Sequence, residues 1–267
     1  MTEKRLVATG DWHVGHKLAV APPNAEIPQE DADPTSLELN KVQKALYGAF
    51  SELAKDWHKP DYLVINGEPI EGQQPKNMGT EVWTTDISAQ LDAAVTLAKM
   101  FDAKEVFVLR GSDYHTTLKG TNLDDEFGRR IEASRIRGRY SAYELFLKID
   151  EVTFHFSHHI QGTGSMMYRG TAPTKEMMLM QLVQSRKYDA DVVIRSHIHY
   201  YWETGASSHR AFVLPCFKLQ DWFSYRRSAG ASVPDIGAVQ FTIEGEEYDW
   251  EPRIFKLDSF KPPRIER

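Results

Sequence analysis

An α/β fold of mixed sheets flanked by helices is predicted by three features of the sequence. Short apolar runs such as Leu6-Val7-Ala8 and Tyr62-Leu63-Val64-Ile65 alternate with longer segments whose apolar residues recur every three or four positions. From about residue 145 the pattern changes to consecutive short runs, Leu145-Phe146-Leu147-Lys148-Ile149 and Val152-Thr153-Phe154-His155-Phe156, joined through Asp150-Glu151. The composition, 41% hydrophobic and 26% charged over 267 residues, supports a sizeable core. Strand–helix alternation followed by strands fits a sandwich with a mixed sheet or two facing sheets.

The elements follow in order. Leu6–Ala8 is the first strand, closed by Thr9-Gly10. Residues 21–34 are rich in Pro, Asn and Asp and read as a loop. Asp33-Pro34-Thr35-Ser36 supplies start signals for a helix whose apolar face is Leu39, Val42, Leu46, Phe50 and Leu53, ending near Trp57. Tyr62–Ile65 is a strand ending in Asn66-Gly67, and residues 68–80 are loop-like. A helix over 88–101 leads to the strand Val106–Leu109, which ends at Arg110-Gly111. A helix near 123–136, the two strands above, a Gly-rich stretch over 160–172 and a Met-rich helix over 174–186 come next. Val192–Ile194, Ala211–Leu214 and Val239–Ile243 are the last strands, and the Pro-containing tail after Glu251 is expected to wrap the surface. No repeat or linker divides the chain, so residues 1–267 read as a single domain, with 200–267 supplying C-terminal strands and a tail.

Composition excludes several classes. A formal charge of −6 does not suit bulk polyanion binding, although a local basic patch is compatible with it. The single cysteine, Cys216, rules out an intrachain disulfide and a cysteine-based zinc site. The N-terminal apolar stretch is too short for a signal-peptide core, and no run approaches the roughly 20 apolar residues that cross a bilayer. A soluble, cytoplasmic protein with no membrane partner is the expectation; the sequence sets no oligomeric state.

The informative residues lie where strands end. Asp11 and His13 follow the first strand, Glu68 the second, and Ser112, Asp113 and His115 the third. His158 and His159 follow the strand at 152–157, and His197 and His199 the strand at 192–195. Ligands of open α/β sheets bind beyond the carboxyl ends of strands, so five loops are predicted to bring these groups to one rim. Asp11/His13 and His197/His199 are two apart, which in an extended segment puts both side chains on one face. Imidazole with carboxylate suits manganese, zinc or iron, and two such ions about 3.5–4 Å apart are the arrangement used for phosphoryl chemistry.

In order and spacing these blocks resemble the calcineurin-like metallophosphoesterases, whose pattern is D-x-H, G-D, G-N-H-D/E, a lone His and G-H-x-H. The blocks here are Gly10-Asp11-Trp12-His13, Asn66-Gly67-Glu68, Gly111-Ser112-Asp113-Tyr114-His115, Ser157-His158-His159 and Ser196-His197-Ile198-His199, spanning residues 10–199. The general look is also similar to phage- and prophage-borne members. The resemblance implies a metallophosphoesterase-type α/β sandwich and a metal-dependent phosphoesterase acting by in-line attack of a metal-bound hydroxide. It implies two divalent ions, manganese first with zinc or iron as alternatives. Asp11, His13 and His199 would hold one, His197 and His158 the other, and Glu68 would bridge them. The substrate would be a phosphomonoester or phosphodiester, such as a nucleotide, a nucleic acid or a phosphoprotein.

The chain departs from the pattern at two blocks. Glu68 replaces Asp, and the family's Asn has no direct counterpart: Ser112 occupies its position, while Asp113 is the better ligand chemically. His115 comes two residues later than the family's catalytic His and takes that role if the loop is re-bent. His158 and His159 compete for one ligand position, since neighbours on a strand face opposite ways. Arg226 and Arg227, beside Trp222, Phe223 and Tyr225, are candidates for substrate binding. The altered blocks also motivate a second reading, a catalytically weak or inactive module kept for binding or assembly.

Overall fold

The computed structural model describes residues 2–118, 120–160, 168–183, 190–206, 209–222 and 233–257. In chain order the elements are β1 (Lys4–Thr9), β2 (Glu26–Ile27), β3 (Thr35–Ser36), α1 (Lys41–Asp56), β4 (Tyr62–Asn66), a 3-10 turn (Pro75–Asn77), α2 (Ile87–Lys99), β5 (Glu105–Leu109), α3 (Asp113–Thr116), β6 (Thr117–Leu118), β7 (Thr121–Asn122), α4 (Leu123–Arg130), β8 (Leu145–Ile149), β9 (Val152–Phe156), α5 (Thr171–Val183), β10 (Val192–Arg195), β11 (Trp202–Gly205), β12 (Arg210–Val213), β13 (Ile236–Glu244) and β14 (Glu247–Phe255).

Two five-stranded mixed sheets face each other, one in the order β14-β13-β1-β4-β5 and the other β11-β12-β10-β9-β8. In the first, β1, β4 and β5 are parallel and β13 and β14 antiparallel. In the second, β9, β10 and β12 are parallel and β8 and β11 antiparallel. Leu6, Ala8, Val64, Phe154, Ile194 and Phe241 belong to the apolar layer between the sheets. The outer face of the first sheet, with Val7, Leu63 and Val108, packs on Leu46, Phe50, Leu91 and Phe101 of α1, α2 and its C-terminal turn. On the second sheet, Met177 and Met180 of α5 cover Val193 and Ala211. The predicted α/β sandwich with flanking helices is thus the observed one. Met166 and Met167 lie outside the described residues.

Several boundaries differ from expectation, each for a local reason. Helix α1 starts after Asn40, because Asn40 and Gln43 form a reciprocal capping box. Thr35–Ser36, taken as start signal, instead pairs with Glu26–Ile27 as a small hairpin. Helix α4 ends at Arg130 rather than 136, and Ile136 and Arg139 pair across a tight turn with positive φ at Arg137 and Gly138. The tail does not simply wrap: Glu247–Phe255 is strand β14, with Pro252 opposite Val239. Proline is tolerated there because β14 is an edge strand with an unpaired side. Strand β11 had no alternating apolar signal, since its burial pattern is exposed or half-buried throughout. No helix among the described residues is long and apolar enough to cross a membrane.

Candidate metal centre

The C-terminal ends of β1, β4, β5, β9 and β10 open onto one rim, and the loops there interlock. The β1 loop runs beside the β4 loop, with the amides of Asp11, His13 and Val14 donating to the carbonyls of Gly67, Glu68 and Pro69 at 3.0–3.1 Å. Trp12 turns into the core, donating from Nε1 to Thr9 Oγ1 at 2.8 Å and packing edge-on against Phe50. Burying Trp12 leaves Asp11 and His13 to face the rim. Across the sandwich, Asn66 Nδ2 donates to Ser196 Oγ at 2.8 Å and to the Ser157 carbonyl at 3.2 Å, tying β4 to the loops after β9 and β10.

Five of the sequence-predicted ligands have left-handed backbone: Asp11 (φ 51°), His13 (48°), Glu68 (55°), His197 (77°) and His199 (58°). Non-glycine residues seldom adopt this region, and each carries a strain that the surrounding structure must impose. Its concentration on the ligand candidates shows that the fold positions these side chains at some cost.

Three clusters of donor atoms result among the described residues. Asp11, His13, Glu68 and His199 form the first, and Glu68, His158 and His197 the second, so Glu68 belongs to both. Around them, His13 Nε2 lies 3.0 Å from Glu68 Oε2 and 3.2 Å from His199 Nε2, and His199 Nε2 lies 3.4 Å from Asp11 Oδ1. His158 Nε2 is 3.3 Å from Glu68 Oε1. Donors sharing an ion at the usual bond lengths of about 2.0–2.2 Å sit about 3–3.5 Å apart. Two of the atoms concerned, Asp11 Oδ1 and His158 Nε2, are buried with no hydrogen-bond partner. A buried ionised acceptor left unpaired is costly, and a divalent cation would satisfy it. The residues present therefore fit divalent ions.

The third cluster is His13, Glu71 and His115. Buried Glu71 holds His13 by its Nδ1 at 2.8 Å, which leaves Nε2 for the rim. Gln74 Nε2 donates to the other carboxylate oxygen at 2.6 Å, and buried Lys218 Nζ lies 3.3 Å from Glu71 and 2.9 Å from Asp221. His158 is oriented in the same manner, through its Nδ1 and the Asn66 carbonyl at 2.7 Å. His115 places its Nδ1 2.7 Å from the Glu71 carbonyl and its ring edge-on to His13.

Electrostatics follow from this packing. Burial pushes the His13 and His158 pKa values down, but Glu68 acts on both, with Glu71 on His13 and Asp11 on His158, and both end raised to about 9. Burial raises the carboxylates, yet His115, His158 and His13 hold Glu68 well below its usual value, and Lys218 and His13 do the same for Glu71. His115 is lowered, chiefly by burial.

The open choices of the sequence now have positions. His158 is fully buried against Glu68, whereas His159 is exposed. Ser112, not Asp113, meets Glu68: its amide donates to Oε1 at 3.1 Å and its hydroxyl contacts the same oxygen. Asp113 opens the short helix α3, is exposed, and belongs to none of the clusters found among the described residues. Arg226 and Arg227 lie outside the described residues. Sequence reasoning missed Glu71 and Lys218. A signal for the first existed, a second carboxylate three residues after Glu68 in the same loop; Lys218 had none.

No protein-family model matches the chain, and no curated protein matches it. Solved structures give distant likeness. Vps29 complexed with zinc from Entamoeba histolytica aligns at TM-score 0.48 and 12% identity, over 98% of each chain. An archaeal phosphodiesterase aligns at TM-score 0.46 and 10% identity, over 94% of this chain and 99% of that one. A predicted phosphoesterase from Streptococcus pneumoniae aligns at TM-score 0.40 and 9% identity, over 95% and 99%. Likeness at TM-scores below 0.5 does not assign a family.

Proposed function

We propose that the chain is a calcineurin-like metallophosphoesterase that hydrolyses phosphoester bonds. Asp11, His13, Glu68 and His199 would hold one divalent ion, and Glu68, His158 and His197 a second. The observation that supports this reading is the pair of donor clusters sharing Glu68, with an unpaired Asp11 oxygen between them. Oxygen and imidazole donors without thiolate suit manganese, zinc or iron. When bound, such ions polarise the phosphoryl group and lower the pKa of water.

The protein's own groups do the rest. Glu71 and the Asn66 carbonyl fix the tautomers of His13 and His158, so that each presents Nε2. His115 donates Nδ1–H to the Glu71 carbonyl, which leaves Nε2 to exchange a proton with the leaving-group oxygen. The substrate is a phosphate ester, with nucleotides and nucleic acids as the leading class.

The test is metal content together with turnover of bis(p-nitrophenyl) phosphate. Two manganese ions per chain and chelator-sensitive turnover are expected, and both should fall in His197→Ala while the fold survives. Full turnover and full metal content in that variant would remove the ligand set. One observation favours the second reading, a binding module: the second cluster has three protein donors, one of them the exposed His197, and Ser112 is bonded to Glu68 rather than free. Zero or one ion with no turnover would select it.

A further inference from the structure

Beside the metal rim runs a groove whose charge is opposite to that of the chain. It encloses about 810 Å³ and is lined by Arg110, Arg137, Arg139 and Lys148 and by one carboxylate, Glu144; Arg110 lies 3.8 Å from Asp125 and Lys148 2.8 Å from Glu151, so Arg137 and Arg139 carry its uncompensated charge. In a protein of net charge −6, two arginines with no carboxylate partner among the described residues, against one lining carboxylate, make a local excess of positive charge. It is sequence-local in origin. The turn at Arg137-Gly138, both at positive φ, closes a small loop and leaves Arg137 and Arg139 exposed on either side of it. Among the described residues neither side chain meets a carboxylate. Tyr143 is 56% exposed in the same groove, with the Arg110 guanidinium 5.0 Å from its ring centre.

Register gives the groove a direction. Arg110 follows Leu109, the end of β5 paired with Asn66, two residues before Ser112 touches Glu68. Leu145 of β8 pairs with Phe156, two residues before His158, while Lys148 pairs with Thr153 at the far end. The groove therefore starts at the rim and descends along the side where the edge strands β5 and β8 meet. Elsewhere, Arg195 is buried on Glu176, and Arg169 pairs with Asp235.

We propose that this groove is the track of a single-stranded nucleic acid whose backbone is led to the metal rim. The cations match phosphates, and an exposed tyrosine offers a stacking face that is usable only by an unpaired base. The inference takes its substrate from the phosphoesterase reading, but the surface is tested apart from catalysis.

The experiment is fluorescence anisotropy with a labelled oligothymidylate, in chelator so that nothing is cleaved. Wild type is expected to bind with a log–log salt slope of about −1.4, from about −0.7 for each of the two unpaired arginines. Arg137→Glu with Arg139→Glu should weaken binding at least about tenfold and flatten the slope by roughly 1.4. The charge-matched control, Lys55→Glu with Lys99→Glu on α1 and α2, should keep most of the affinity. Tyr143→Ala should cost about tenfold with the slope unchanged. The proposal fails if wild type binds no tighter than about 1 mM at low salt, or if the control loses as much as the groove variant. It also fails if tripolyphosphate competes fully while Tyr143→Ala is silent, or if duplex binds better than single strand. Groove-dependent binding without turnover of any phosphoester would sink the catalytic reading and leave the track standing; turnover without binding would do the reverse.

Discussion

Glu71→Gln isolates a group that stands outside both proposed ion sites and orients one of their donors. The carboxylate lies 2.8 Å from His13 Nδ1 and 3.3 Å from Lys218 Nζ, and both partners are buried. Carboxylates that orient a ligating imidazole typically contribute 10–100-fold in metal affinity, or about 1.4–2.8 kcal/mol. Two effects compete. Removing Glu71 loosens His13, which weakens binding, but it also removes one of the two anions, after Glu68, that raise the His13 pKa, which eases loss of the competing proton. Above pH 9 that proton is largely gone in the wild type too, so the orienting effect stands alone there. Stability should fall as well, because Lys218 loses one of two counter-ions. Breaking a buried pair completely costs about 3–5 kcal/mol; Asp221 at 2.9 Å remains, so less than about 3 kcal/mol is expected here. Manganese titration calorimetry at two pH values and urea unfolding of the metal-free protein measure the two quantities. Adding Lys218→Met should restore stability and leave metal affinity low, since the orienting carboxylate is still missing. Unchanged manganese affinity at high pH, with stability alone reduced, would show Glu71 to be only a counter-ion of Lys218.

The remaining predictions concern proton transfer, pH and backbone. His115→Asn should keep both ions and slow turnover on the order of 100-fold; an unchanged rate would exclude His115 from proton transfer. The raised pKa values of His13 and His158 make a contribution fully present below the unfolded value near 6.5 and lost as pH rises through about 9. On the acid side, His16 is held neutral by burial, with a pKa lowered to about 3, so its contribution drops as pH falls below 6.5. Glu68 and Glu71 are depressed, and their contribution is lost below their unfolded value of about 4.5. Burial raises the Asp124 carboxyl to about 7, and its loss of stability between pH 3.8 and 7 offsets the His16 gain, so the melting temperature of the metal-free protein should decline from pH 6.5 to 9, and manganese should remove that decline by replacing the two protons. A flat profile between pH 6.5 and 9 without metal would contradict this. Gly67→Ala places a Cβ 2.5 Å from His158 Nδ1 at φ 89°, so it should lose the second ion before the first; equal loss of both ions, read by calorimetry, would count against Glu68 as the sole shared donor.

What the sequence made legible, and what it hid, divides along the range of the interactions involved. Asp11, His13, His197 and His199 were readable because each sits in the few residues after an apolar strand, and parallel topology alone carries such loops to one edge. Alternation explained their pairing only in part. The residues two apart converge here through left-handed backbone at each of the four, with Trp12 buried between one pair, and not through an extended strand face. The third block shows the limit. Asp113 is the better ligand by chemistry, but Ser112 is the residue whose amide reaches Glu68, while Asp113 begins α3 and is exposed. Glu71 and Lys218 are 147 residues apart and acquire a role only from each other, inside a space that composition does not describe. The basic groove is a mixed case: Arg137 and Arg139 come together through a local turn, whereas Arg110 and Lys148 join the same groove from the edge strands of different sheets. A linear reading finds groups whose function is set by the strand they follow. Groups whose function is set by a partner across the sandwich become visible only when the sheets are closed, and here they are the ones that orient the donors and line the proposed track.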